Sequence, residues 1–200
     1  MKKIIFLSLT AITLSSCNPI IKKLYGIKQP DIENRESITK KANKFGLDTT
    51  NIVSVSSADF PYIMKRVSVP NASIYDAKGK YVEYRLTDTS CNKGLFDFIP
   101  NLNLTTAYNK PDSLSLQQQW PKYRDLNGNK LALPEPADFY VLIYWNVWTG
   151  KLNRDHVKIW EDLARANKNC RVKVIKVNLD IQDYWEQEEK EKWRKAFRKR

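Results

Sequence analysis

Two apolar runs near the C-terminal half constrain the fold most. Phe139-Tyr140-Val141-Leu142-Ile143-Tyr144-Trp145 contains no charged residue, and Arg171 to Leu179 carries Val172, Val174, Ile175, Val177 and Leu179. A near-continuous apolar run of this length reads as a strand buried on both faces, as in the middle of a parallel sheet. Between them Val157, Trp160, Leu163 and Ala164 recur at helical spacing behind Asn153 or Asp155 as a cap. Strand, helix, strand makes a βαβ unit, whose strands are parallel and whose crossover is right-handed. The chain is therefore expected in the α/β class.

The residues upstream add shorter elements. Asn34 caps a helix through about Phe45, with Ile38, Ala42 and Phe45 on one face and Gly46 closing it. Ile52–Val55 reads as a strand, and Asp59 to Arg66 as one or two helical turns. Two β-rich runs, 68–75 and 80–84, flank Asp76-Ala77-Lys78-Gly79 and predict a hairpin. A helix is expected from Asn92 to Ile99, stopped by Pro100, and 101–121 reads as a connector. A second hairpin is expected at Tyr123–Leu131 around Asn127-Gly128, and a long polar helix from Asp180 to Arg200.

The N-terminus has its own logic. Lys2 and Lys3 precede a short apolar run, Ile4 to Leu14, which is too short to span a bilayer as a permanent helix. The run ends in Leu14-Ser15-Ser16-Cys17, which resembles the lipobox of bacterial lipoproteins. The resemblance implies cleavage after residue 16 and acylation of Cys17, with a palmitate-type chain among its acyl groups. It also implies a cell-envelope location facing the periplasm. Asn18 in place of an Asp favours an outer membrane where one exists. Stable anchoring takes more than one acyl chain. Residues 17–33, interrupted by Pro19, Gly26 and Pro30, read as a tether to the folded part.

Charge and cysteines bound the partners. The chain carries a net charge of +12, and loss of Lys2 and Lys3 with residues 1–16 leaves +10 on 184 residues. An exported, anchored chain of this charge meets anionic membrane surfaces and envelope polymers, and nucleic acid is not an expected partner. Cys91 and Cys170 remain once Cys17 is spent on lipid. They stand as a disulfide pair or as two separate thiols, and their spacing fits neither a metal site nor a CxxC.

The stretch Asp138 to Leu152 resembles the start of an exported, membrane-anchored thioredoxin-like domain. In that family a buried strand ends in an aromatic residue and a W-C-x-x-C motif opens the next helix. Trp148 matches the tryptophan and Gly150 the glycine, Lys151 follows, and Thr149 and Leu152 stand where the cysteines would be. The hairpin at Asp125–Lys130 is similar to the one that leads into the same family's domain, and the resemblance runs to about Asp180. It implies an α/β sandwich with a central mixed sheet flanked by helices. The half that normally comes last, a cis-proline followed by a hairpin and a helix, has its counterpart upstream in Val69-Pro70, the hairpin to Tyr84 and the helix near Leu95. The strand order is then permuted, with halves 34–105 and 122–185 in one domain, 34–185. The alternative is a different α/β or α+β sandwich containing a coincidental βαβ. Without two thiols at one helix N-terminus the dithiol chemistry is not transferred.

Other candidates are weaker. Cys91, near a helix N-terminus and Lys93, is the candidate nucleophile of an alternative reading as a thiol oxidoreductase or peroxidase, with or without Cys170. His156 is the single histidine and has no ligand cluster around it, so neither a metal nor a cofactor is expected. Tyr144, Trp145, Trp148 and Trp160, with Trp120 and Tyr123, line a ligand groove or pack the core. In the tail, 186–200, six of the last nine residues are basic. Lys192, Arg194, Lys195 and Arg198 with Trp193 and Phe197 suit an anionic membrane surface, a frayed terminus or an acidic partner. The expectation is an anchored binding or scaffolding module for an envelope protein or other ligand, with a structural envelope component as a third reading.

Overall fold

The computed structural model describes residues 22–85, 87 and 92–198; the signal segment, Cys17 and Cys91 lie outside them. The chain is α/β, with one mixed six-stranded sheet between two helical layers. Its strands are β2 (Ile52–Val55), β3 (Asn71–Asp76), β4 (Tyr81–Val82), β5 (Tyr123–Arg124), β6 (Phe139–Trp145) and β7 (Val172–Asn178), in the order β4-β3-β6-β7-β2-β5. A separate parallel pair joins β1 (Ile32–Glu33) to β8 (Ile181–Gln182).

The βαβ unit forms the centre. β6 is buried at all seven positions and runs parallel to β7 from Phe139↔Val172 to Trp145↔Asn178. The crossover helix α5 (Ile159–Ala166) is preceded by π-wound turns at Asn153–Lys158. On the other side of β6, β3 pairs antiparallel over six residues. β3 and β4 close the first hairpin, where Asp76 Oδ1 accepts the Lys78 and Lys80 amides and Gly79 adopts φ 77°. Only glycine takes that conformation at no steric cost. The second hairpin is reduced to β5, which pairs with β2, and a single bridge from Arg124 to Lys130.

Alternation along β6 sorts the helices. Val141, Ile143 and Trp145 face one layer, where α1 (Arg35–Phe45) contributes Ile38 and Ala42 and α5 contributes Trp160 and Ala164. α3 (Leu95–Phe98) fills the same layer through Leu95. Tyr140, Leu142 and Tyr144 face the opposite layer, built by α2 (Phe60–Arg66), α4 (Leu116–Gln119) and α6 (Gln187–Arg198). Asn34 caps α1 in a reciprocal pair with Ser37, and Gly46 ends it at φ 78°.

Three boundaries differ from the sequence reading. The segment expected as a tether joins the body from residue 25 onward, through β1 and through bonds described below. The C-terminal helix starts at Gln187, because Asp180–Trp185 is taken up by β8 and a turn. That helix is also no free tail. Trp193 and Phe197 turn inward onto Phe60, with ring centroids at 4.9 and 6.4 Å, so burying the aromatic stripe against α2 wins over exposing it. Lys192, Lys195 and Arg198 stay on the outside, and Arg194 reaches Asp31 at 3.7 Å.

One charged pair lies inside the first layer. Lys176 of β7 donates to Glu161 of α5 at 2.7 Å, with both side chains almost fully buried. Glu161 also accepts the Asp48 amide and Arg165. Removing one partner of such a pair strands the other charge away from water, whereas an apolar pair of similar volume removes both costs. Glu161→Leu, which leaves the buried Lys176 with no carboxylate partner among the described residues, is expected to lower stability in urea unfolding by about 3 kcal/mol. Adding Lys176→Met is expected to recover part of the loss, the Asp48 amide and Arg165 remaining without Glu161.

Candidate functional site

The degenerate motif sits at the C-terminal end of β6. Asn146 is the cap of the turn Val147–Thr149, its side-chain oxygen accepting the Thr149 amide at 3.2 Å. The Thr149 hydroxyl points inward, its one proton shared between the Asn146 carbonyl at 3.0 Å and Asn153 Oδ1 at 3.2 Å. Asn153 Nδ2 returns to the same Asn146 carbonyl at 2.8 Å. Thr149 thus presents a buried hydroxyl that ties the loop to the strand. Leu152 is half-buried and Lys151 exposed. Trp148 stacks against Phe197 at 6.2 Å.

Beneath the loop lies a buried polar cluster. Asp180 Oδ2 accepts the Val147 amide and Asn178 Nδ2, both at 2.7 Å. Gln182 Nε2 donates to Asn178 Oδ1 and to the Asp180 carbonyl. Asp180 Oδ1, Asn146 Nδ2 and Gln182 Oε1 have no hydrogen-bond partner among the described residues. Burial pushes the Asp180 carboxyl up to about 7, against the two hydrogen bonds that favour its charge; nearby Glu33 raises it further.

Above the loop the chain crosses itself. Residues 25–28 form a strap: the Lys28 amide donates to the Trp148 carbonyl at 2.9 Å, and the Lys151 amide to the Tyr25 carbonyl at 2.7 Å. Gly150, at φ 61°, lets the strap close, since a Cβ there would stand 2.3 Å from the Tyr25 oxygen and 2.6 Å from the Gly26 oxygen. Strap, motif loop and α1 together enclose a cleft of about 310 Å³. Tyr25, Phe45, Val147 and Gly150 line it with Lys28, Lys41, Lys44, Lys151 and Arg154, and no acidic residue does.

The other candidates disperse. The Val69–Pro70 bond is cis and immediately precedes β3, whose first residue Asn71 pairs with Tyr144 near the C-terminal end of β6. Cys170 carries a free thiol at the far end of α5, donating to the Leu102 carbonyl at 3.2 Å. Burial pushes this thiol up, with Asp138 adding to the shift, which is opposite to what a nucleophile needs. His156 packs edge-on against Phe96 and Trp160. No group of three or more metal-ligating side chains occurs among the described residues. The aromatic groove is not assembled. Trp145 and Trp160 are fully buried on one side of the sheet, while Tyr144 and Tyr123 share a hydrogen bond on the other.

Compared with known protein families, curated proteins and solved structures, the chain matches none of them. The site is therefore argued from its own geometry. The strap and the cleft were not legible in the sequence, because their members come from segments over a hundred residues apart, and the buried cluster was not because β7 and the turn after it meet the motif loop only in the folded sheet.

Two outcomes follow from this geometry. The folded state holds the Asp180 proton more tightly than the unfolded chain, so its contribution to stability is full below about pH 4 and is lost as pH rises through 7. Relative to Asp180→Asn, the native protein is expected to lose about 3 kcal/mol between pH 5 and 8 in parallel urea titrations. Gly150→Ala meets both the positive φ and the Tyr25 oxygen. It is expected to cost about 2 kcal/mol and to open 22–31 to limited proteolysis while the rest of the chain stays protected.

Proposed function

We propose that the protein is a lipid-anchored envelope lipoprotein whose thioredoxin-like domain has no dithiol chemistry and acts as a binding module. Support for the thioredoxin-like reading comes from the sheet. The order β7-β6-β3-β4, with β3 antiparallel to β6, joins a βαβ half to a hairpin half. The hairpin half comes first in the chain, as a permuted domain requires.

The observation that carries the binding reading is the covered motif loop. A thiol site needs an exposed, acidic thiolate at a helix N-terminus. Here that position is a buried threonine under the strap, and the space beside it is a cationic cleft with an apolar floor. A hollow with a few convergent charged groups on an apolar lining is the usual form of a ligand site. Among the described residues no helix is long and apolar enough to cross a membrane, so attachment in this reading rests on Cys17.

Mass spectrometry of the protein isolated from membranes tests the anchor, and an insulin-disulfide reduction assay tests the chemistry. The expected result is an N-terminal Cys17 carrying diacylglyceryl, absent in Cys17→Ser, together with no catalysed reduction. An unmodified N-terminus would overturn the anchor, and thiol-dependent turnover would overturn the binding module.

A further inference from the structure

We infer that the basic cleft beside the motif loop is a binding site for a phosphate-bearing ligand with an apolar portion, an inference that rests on reading the domain as a binding module.

The charge arrangement is the first argument. Three segments that are distant in sequence bring five cations to one hollow: the strap supplies Lys28, α1 supplies Lys41 and Lys44, and the motif loop and the turns after it supply Lys151 and Arg154. Some basic side chains elsewhere have carboxylate partners, as in Lys110 with Asp76, Lys173 with Glu135 and Lys158 with Asp162, and others stand singly; what distinguishes the cleft is that five cations line one concavity. Among the described residues, none of the four cleft lysines has a carboxylate within 4.0 Å. Arg154 meets only its neighbour Asp155, at 3.6 Å and largely exposed. Like charges gathered around one concavity focus a positive field into it, and a multivalent anion complements that field.

The cleft is also built. The strap that forms one wall is held by the two backbone bonds to Trp148 and Lys151, and it fits only because residue 150 has no side chain. The cations are thus mounted on a wall, a helix and a capped loop.

The residue types select the ligand. Four lysines to one arginine is a poor design for a carboxylate, which favours the planar arginine fork. Lysines act as point charges and suit a tetrahedral, multiply charged anion whose several oxygens can meet several ammonium groups. Phe45, Val147 and the Tyr25 wall give an adjoining group somewhere apolar to lie. A volume of about 310 Å³ is at the small end of ligand sites and takes a headgroup or a small phosphorylated compound.

Two sources share this chemistry. Tyr25 stands eight residues beyond Cys17, so an anchored chain keeps the cleft within roughly 28 Å of the acyl groups at full extension. Phospholipid headgroups are within reach, and so are soluble phosphate compounds of the envelope.

The test uses the full acylated protein in neutral dodecyl maltoside, titrated calorimetrically with inorganic pyrophosphate. Lys41→Glu with Lys151→Glu reverses two charges in the cleft. Lys65→Glu with Lys195→Glu makes the same change in net charge on α2 and α6, in the opposite helical layer, and thermal melting checks that both variants fold. The expected result is pyrophosphate binding by the native protein and the control, weakened at least tenfold in the cleft variant. No binding by the native protein, or equal weakening in both variants, would overturn the site. Phosphatidic acid doped into the micelles then separates the sources. Displacement of pyrophosphate assigns the site to a lipid headgroup; retained binding assigns it to a soluble phosphate compound. Loss of pyrophosphate binding with Cys17 acylated and insulin reduction absent overturns the ligand alone and leaves the anchored module standing.

Discussion

Everything else in the molecule is arranged around the burial of β6. A strand with no charged residue, hidden at all seven positions, needs a partner on each edge and an apolar layer on each face. β7 and β3 supply the edges, which fixes a parallel neighbour on one side and an antiparallel one on the other. The helices of the first half and the helix of the second half must then share the same sheet. Neither half could bury its own strands alone, because β3 lies against β6 along its whole length.

That arrangement determines what happens at the strand's C-terminal end. The motif loop emerges at the C-terminal end of β6, and its amides have to be satisfied under a covering strap. From below, Asp180 and Asn146 accept the Val147 and Thr149 amides while Thr149 and Asn153 serve the Asn146 carbonyl; from above, the strap's Tyr25 carbonyl accepts the Lys151 amide and its Lys28 amide donates to the Trp148 carbonyl. The loop is therefore held between two sets of bonds, and its outer flank is free to carry charge. The cationic cleft lies on that outer flank.

The parts legible in the sequence are those set by local chemistry. The two apolar runs announced the parallel pair, Asn34 and Gly46 announced the ends of α1, and Asp76 to Gly79 announced the hairpin. What escaped was set by distant partners. Residues 25–28 hold the motif loop through main-chain atoms, which leave no trace in residue types. Trp193 and Phe197 form a visible aromatic stripe, but the same stripe suits a bilayer or a protein core, and only the position of Phe60 decides. Lys176 looks like an outward-facing interruption of β7 until Glu161 is placed opposite it. The five cations of the cleft are scattered over more than a hundred positions.

Hydrogen exchange on the full-length protein tests most directly whether the motif loop is covered. Amide protection reports which backbone bonds open only with the core. If the strap is part of the fold, the Lys28 and Lys151 amides exchange as slowly as those of α1. Exchange of these two amides at the rate of a frayed terminus would mean that the loop is open, and the account of a covered, rebuilt site would be contradicted.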